Sequence, residues 1–152
     1  MSQVQQQVET PSGTSANELA VAKFWGQYWS KGDQSVADEI FDPEFRDMDT
    51  QWPQGATGGV AAMKEKHRFY FAVVPDWDIR VLRQLVVGDQ IVCYWRGTGS
   101  FQGEFAGMAP NGNPFTLDGI SIFTCRNGKI VEQIISYDLL GMLKQMGFPT
   151  PV

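Results

Sequence analysis

The amino-acid sequence predicts a single α+β domain, a curved antiparallel sheet wrapped by helices around an apolar pocket. Three observations carry this prediction. Helix-spaced apolar residues dominate the first half of the chain, and β-branched runs broken by turn signals take over from Trp77 onward. Helices followed by a run of antiparallel strands indicate an α+β layer, with the helices packed on one face of the sheet. Glycines fall at several bends of the strand runs, where a sheet that coils strongly needs a relaxed backbone.

Ser15-Ala16-Asn17-Glu18 has the form of a capping box, and Leu19, Ala22, Trp25 and Trp29 follow at helical spacing until Lys31-Gly32-Asp33 stops the first helix. A second short helix is expected over residues 36–41, capped by Ser35 with Asp38 three residues on and closed by Asp42-Pro43. Residues 44–49 read as a brief extended piece, and residues 51–59, with Pro53 and three glycines, as a loop. The third helix is expected over residues 60–74, because Met63, His67 and Tyr70 or Phe71 share a face and Pro75 ends it. Four long strands follow over residues 78–87, 91–99, 114–125 and 129–138, the last two joined by the hairpin signal Asn127-Gly128. Residues 103–112 read as a hairpin connection at the mouth of the cone, and residues 139–146 as a closing helix ended by Gly147.

The bulk composition bounds the function. With 152 residues, 43% of them hydrophobic, the chain can bury a real core and line a cavity without staples. Its net charge is −5 and its 12 lysines and arginines are scattered, so no basic stripe is offered to nucleic acid or to an anionic membrane surface. No apolar run approaches the roughly 18 to 20 residues that span a bilayer. Residues 1–14 carry neither the basic start nor the apolar stretch of a secretory signal and are expected to be a disordered tail; the domain is expected over 15–148, with a short tail at 149–152. Cys93 and Cys125 lie inside strand runs as small apolar residues, which suits a reduced, cytoplasmic setting.

Several short segments, in order, resemble the nuclear-transport-factor-2-like superfamily, and within it the polyketide cyclases of the SnoaL type. The carriers are FWGQYWSKGD from Phe24 to Asp33, Phe45-Arg46-Asp47, Gly59-Val60 and Val74-Pro75-Asp76. Further along they are Val87-Gly88-Asp89, Gly103-Glu104-Phe105-Ala106-Gly107, Pro110-Asn111-Gly112, Asn127-Gly128-Lys129-Ile130-Val131-Glu132, Asp138 and Leu143-Lys144-Gln145-Met146-Gly147. The resemblance covers roughly residues 18–148. It implies a cone with a small, mostly apolar ligand inside, a homodimer formed through sheet faces, and chemistry without metal or organic cofactor. The superfamily also places isomerases, dehydratases, hydrolases and plain binding modules on this cone, so the fold alone does not select a reaction.

Asp138, at the end of the last strand, is the first catalytic candidate. In the cyclases the chain resembles, the Asp before the closing helix takes an α-proton from a dicarbonyl, and the enolate closes a ring on a second carbonyl. Period-two alternation puts Asp138 on one face with Glu132, Ile134 and Ser136. The competing role is a cap on the closing helix. Asp118, counted back through the hairpin, shares a face with Ile120, Ile122 and Thr124 and is the second candidate, because two converging carboxylates push their pKa values apart. His67, the one histidine, is the third; without Cys or His partners it makes no conventional zinc site. Asp47-Met48-Asp49 departs from many of the chains it resembles, which carry a cavity-directed histidine where this chain has Met48; a thioether packs against a ligand and shuttles no proton. Met48, Trp52, Trp29, Tyr28, Phe69, Trp95 and Phe115 are the candidate ligand-contacting residues.

Three readings remain. The first is a cofactor-independent enzyme, of polyketide or ester cyclase type, acting on a small hydrophobic carbonyl compound. The second is a non-catalytic pocket protein that binds a small apolar molecule or mediates dimer assembly. The third is an isomerase or hydratase using the same carboxylate. Asp138 turned into a cavity favours chemistry, and Asp138 turned to the amides of Leu140 or Gly141 favours the cap and a binding role.

Overall fold

The structure, a computed structural model, describes residues 13–51 and 58–151. Most of the predicted tail and the tip of the 51–59 loop lie outside them. Helix α1 (Gly13–Lys23) runs directly into a π-helical turn, Phe24–Trp29. A 3₁₀ turn (Gln34–Val36) and a one-turn helix α2 (Ala37–Ile40) lead into strand β1 (Phe41–Met48). Helix α3 (Val60–Val73) is followed by β2 (Asp78–Val87), β3 (Gln90–Ser100), β4 (Pro114–Arg126), β5 (Lys129–Tyr137) and the closing helix α4 (Leu139–Met146).

Where the sequence suggests four strands and a short extended piece, the sheet has five, in the order β1-β5-β4-β3-β2. The extended piece is a full edge strand that begins at Phe41 and pairs in parallel with β5. Its Pro43, which has no N–H, is tolerated because an edge strand does not need a donor at every residue, and the pairing is irregular between Phe41 and Arg46. The second helix is accordingly shorter than expected. Its lead-in is capped by Asp33, whose side chain accepts from the Ser35 amide, and not by Ser35 itself.

Apolar residues of the helices and of the inner sheet face meet in one core. Phe24, Phe41, Phe45, Ile91, Phe123 and Ile130 are all essentially inaccessible. Phe24 touches Phe41 and Phe123 edge to face, so a single ring links the π-turn, the edge strand and the centre of the sheet. The loop after β3 is anchored on α3, where the amides of Gln102 and Gly103 both donate to the Val73 carbonyl. Gly103 is required there, since a Cβ would stand 1.9 Å from the Ala72 carbonyl oxygen.

β5 contains the irregularity that matters most for the site. Cys125 pairs with Ile130 but Thr124 pairs with Glu132, so Val131 is an extra residue in the ladder. A one-residue slip moves every later side chain to the other face. Ile130 points inward, and beyond the bulge the inward residues are Gln133, Ile135 and Tyr137, while Glu132, Ile134 and Ser136 point out.

Candidate functional site

Helices and inner sheet face line a partly open cavity of about 50 Å³. Phe24, Trp25 and Trp29 of the π-turn form one wall with Lys66 and Tyr70 of α3. Trp95, Leu117, Gln133, Ile135 and Tyr137 supply the sheet wall, and Asp49, Trp77 and Ile79 complete it. Local sequence explains the first wall: a π-turn is wider than an α-turn, and it brings Phe24, Trp25, Tyr28 and Trp29 all inward from one six-residue stretch.

Most of the wall is ring surface, but one part of it is ionic. Lys66, only 3% exposed, projects its ammonium group between two carboxylates, 2.5 Å from Asp47 Oδ2 and 2.8 Å from Asp49 Oδ2. Asp47 also accepts from Gln133 Nε2 at 3.0 Å. Gln133 in turn accepts from Ser121 Oγ, which accepts from Trp95 Nε1, so the network crosses four strands. Asp49 accepts from the Gln51 amide at 2.9 Å and from the Tyr137 hydroxyl at 3.2 Å. The Tyr70 hydroxyl lies 3.3 Å from that of Tyr137. Tyr137 has one proton and gives it to a carboxylate that only accepts, so Tyr70 is the donor between the two phenols.

Burial and charge set the protonation states. Burial draws the Lys66 ammonium down, but Asp47 and Asp49 together hold it above the ordinary lysine value, so it stays charged. Burial pushes the Asp47 carboxyl up, against the opposing pull of Lys66. Burial likewise raises the Tyr70 and Tyr137 phenols, with Asp49 adding to the rise at Tyr137, so both remain protonated donors. The result is an ion-paired carboxylate, a fixed cation and two phenols on the wall of an otherwise apolar cavity. Such a group can accept a proton, return it, and meet negative charge that develops on a ligand oxygen.

The three acid/base candidates lie elsewhere. Asp138 is exposed, and its Oδ1 accepts from the Gly141 amide at 2.9 Å as the N-cap of α4. The Val131 bulge is the reason, because it turns the 132-134-136-138 face outward. Asp118 is on the outer sheet face, held by two bonds from Arg96 at 2.7 and 2.9 Å and one from Tyr94, and these donors, Arg96 foremost, hold its carboxyl below the usual range. His67 is buried beside the cavity wall, not in it. Its Nε2 lies 2.6 Å from the Tyr28 carbonyl and its Nδ1 3.1 Å from Gln34 Nε2. Since Gln34 Nε2 is a donor, Nδ1 accepts and Nε2–H donates, the neutral tautomer; burial lowers the imidazole pKa accordingly.

Of the candidate ligand contacts, Trp29 and Trp95 line the cavity. Tyr28 is core, its phenol raised by burial. Phe115 packs behind Trp77, and Phe69 is on the surface against Phe105. Met48 pairs with Ile134 on the outer face, so the departure at this position leaves the cavity wall unchanged; its neighbours Asp47 and Asp49 point inward. Trp52 lies outside the described residues. Asp47, Asp49, Lys66, Tyr70, Gln133 and Tyr137, which build the polar part of the site, are not among the sequence candidates. The one available signal was an Asp47-Met48-Asp49 alternation that sends both carboxylates to a single face. Among the described residues no group of three or more His, Cys, Asp or Glu side chains could hold a metal ion, and no helix is long and apolar enough to cross a membrane.

The model of the SnoaL-like polyketide cyclase family matches residues 19–146. No curated protein sequence matches the chain. Among solved structures, a candidate SnoaL-like polyketide cyclase from a Jannaschia species superposes with a TM-score of 0.80 at 24% identity, covering 95% of this chain and 100% of that one. IdmH, a candidate polyketide cyclase from Streptomyces antibioticus, gives 0.76 at 24% identity over 86% of this chain and 98% of its own. AclR from Streptomyces galilaeus, described as a candidate hydroxylase, gives 0.77 at 18% identity over 91% and 89%. At these identities the likeness establishes the nuclear-transport-factor-2-like cone and leaves the reaction open. With the family model spanning nearly the whole described chain, the protein belongs to the SnoaL-like polyketide cyclase family.

Proposed function

We propose that the protein is a cofactor-independent enzyme that moves a proton on a small hydrophobic carbonyl compound, in the manner of a polyketide cyclase, with Asp49 as the acid/base group. The observation that carries this reading is the buried Asp47–Lys66–Asp49–Tyr137 cluster on the cavity wall. Buried charges are costly and rarely repay their desolvation as stability alone, so their presence beside the cavity argues for use.

In the proposed reaction the Tyr70 O–H turns from Tyr137 to a ligand carbonyl, whose α-proton passes to Asp49. The enolate charge is met by the Lys66 ammonium and the Tyr70 phenol. The enolate carbon then bonds to a second carbonyl carbon of the same molecule, and the proton on Asp49 goes to the new alkoxide, so the substrate gains and loses nothing. The same proton transfer without ring closure would be an isomerisation. With Asp138 serving as a cap, the enzymatic reading rests on Asp49, and the binding reading is what remains if Asp49 is inert.

The test is exchange of the α-protons of cyclopentanone for deuterium in D₂O, followed by proton NMR. Wild-type protein is expected to accelerate exchange over buffer, and Asp49→Asn or Tyr137→Phe to remove about 10²-fold or more of it, the usual scale of a general acid/base. Asp138→Asn is expected to leave it unchanged. Exchange at the buffer rate with folded wild type would leave the pocket as a binding site only.

We propose further that the outer sheet face pairs with a second copy of the chain. Leu85, Val92, Ile122, Ile134 and Met48 stand in one cross-strand row over all five strands, and Leu85 and Ile134 are 56% and 47% exposed. An apolar stripe of this kind is normally covered.

A further inference from the structure

The indole N–H of Trp77 is a buried donor with no acceptor among the described residues. Trp77 is 6% exposed and lines the cavity. Unpaired buried N–H groups are uncommon and each calls for an explanation. A second indole shares the condition, but the Trp25 N–H faces the Cys93 sulfur, a weak acceptor. Trp77 has no such relief.

Its orientation is set by neighbours on the ring edge opposite the nitrogen. A Cβ built on Gly97 would meet Trp77 Cζ3 at 3.1 Å and Cε3 at 3.5 Å, so the benzo edge lies flat on the β3 backbone at a residue with no side chain. Phe115 holds the ring edge to face at 5.4 Å, and Tyr70 does so at 6.3 Å. With the Cε3–Cζ3 edge against the sheet, the Nε1 edge is the one on the far side of the ring from Gly97. Tyr70, on the same cavity wall, begins the chain of donors that ends on Asp49.

We infer that Trp77 Nε1–H is the specificity-determining donor of this cavity and that it recognises a neutral acceptor oxygen, a carbonyl in the first instance, on an otherwise apolar ligand. The inference rests on the cavity being the ligand site proposed above and adds which oxygen-bearing class it takes. An acceptor placed at Nε1 ends the desolvation cost of the lone N–H, whereas a hydrocarbon of equal shape leaves it unpaid, and an anion would meet Asp47 and Asp49 against one Lys66. A ligand oxygen held by Trp77 also fixes which end of the molecule faces the Asp49 cluster.

The test compares cyclopentanone with methylenecyclopentane, which has the same shape and lacks the acceptor, using the indole ¹H–¹⁵N signals of the full-length protein. The ketone is expected to move the Trp77 indole proton downfield and to bind about tenfold more tightly than the alkene. Trp77→Phe is expected to abolish that preference. Because the variant also alters the packing on Gly97, the wild-type signal decides on its own: equal affinities with an unmoved Trp77 signal overturn the inference. A ketone that binds and shifts Trp77 but exchanges no α-protons leaves the inference standing and removes the acid/base reading. Equal affinities with Asp49-dependent exchange do the reverse. Failure of both probes to perturb any cavity indole overturns the ligand class and with it the inference.

Discussion

Lys66 shows how much of this site depends on one residue. It is a lysine on a helix face with Lys64 and Glu65 beside it, a setting in which a solvated side chain is the ordinary outcome. Here it is buried and bonded to two carboxylates from the end of β1. Removing one partner from a buried ion pair leaves uncompensated charge, at a cost of roughly 3–5 kcal/mol. Lys66→Met is therefore expected to lower the urea-derived unfolding free energy by about that amount at pH 7. The loss should shrink on acidification as Asp47, already raised by burial, takes up a proton. A loss below about 1 kcal/mol would mean the pair is solvated, as surface pairs are.

At the scale of elements, His67 joins α3 to the π-turn. Its Nε2–H donates to the Tyr28 carbonyl, and its ring stacks among Tyr28, Trp29 and Phe71. Protonation would place a second N–H at Nδ1 against the Gln34 amide nitrogen, donor against donor. The sign of the pH effect follows from the lowered native pKa: below the unfolded value of about 6.5 the unfolded chain binds a proton that the native protein resists. Stability is therefore expected to be flat above that pH and to fall as pH drops below it, until the lower native value is passed. Urea titrations at pH 7.5, 6 and 5 should show this fall in the wild type and less of it in His67→Gln, the difference isolating His67 from the carboxylates. Because the π-turn supplies Trp25 and Trp29 to the cavity wall, the same acidification should loosen the site before the sheet.

For the whole molecule, the two faces of one sheet serve different ends. The inner face carries the cavity; the outer face carries the apolar row, flanked by the Arg96–Asp118–Tyr94 cluster. Wild-type protein is expected to sediment at twice the mass of the chain. Ile134→Lys, which would set like charges near each other across a two-fold axis, is expected to sediment as a monomer with its cavity intact. A wild type that sediments as a monomer at micromolar concentration would end the dimer proposal. The variant also separates assembly from chemistry, because its deuterium exchange should match the wild type if each cavity is complete in one chain.

The sequence by itself determined the elements and their order. Helix spacing, Pro75, the Asn127-Gly128 turn and Gly147 are local signals, and α3, β2, the β4–β5 hairpin and α4 appear where these signals put them. It also carried the family, through short segments whose order survives where overall identity is low. What only the tertiary structure decided is which side chains face the cavity. Period-two alternation grouped Glu132, Ile134, Ser136 and Asp138 on one face as found, but the extra residue at Val131, after the inward Ile130, decided that this group faces outward and Gln133 and Tyr137 inward. The partnership of Lys66 with Asp47 and Asp49 was illegible for a related reason. It depends on how a helix and an edge strand, joined by a loop, are set against each other, and that setting is decided by packing of the whole core, not by any pattern within either segment.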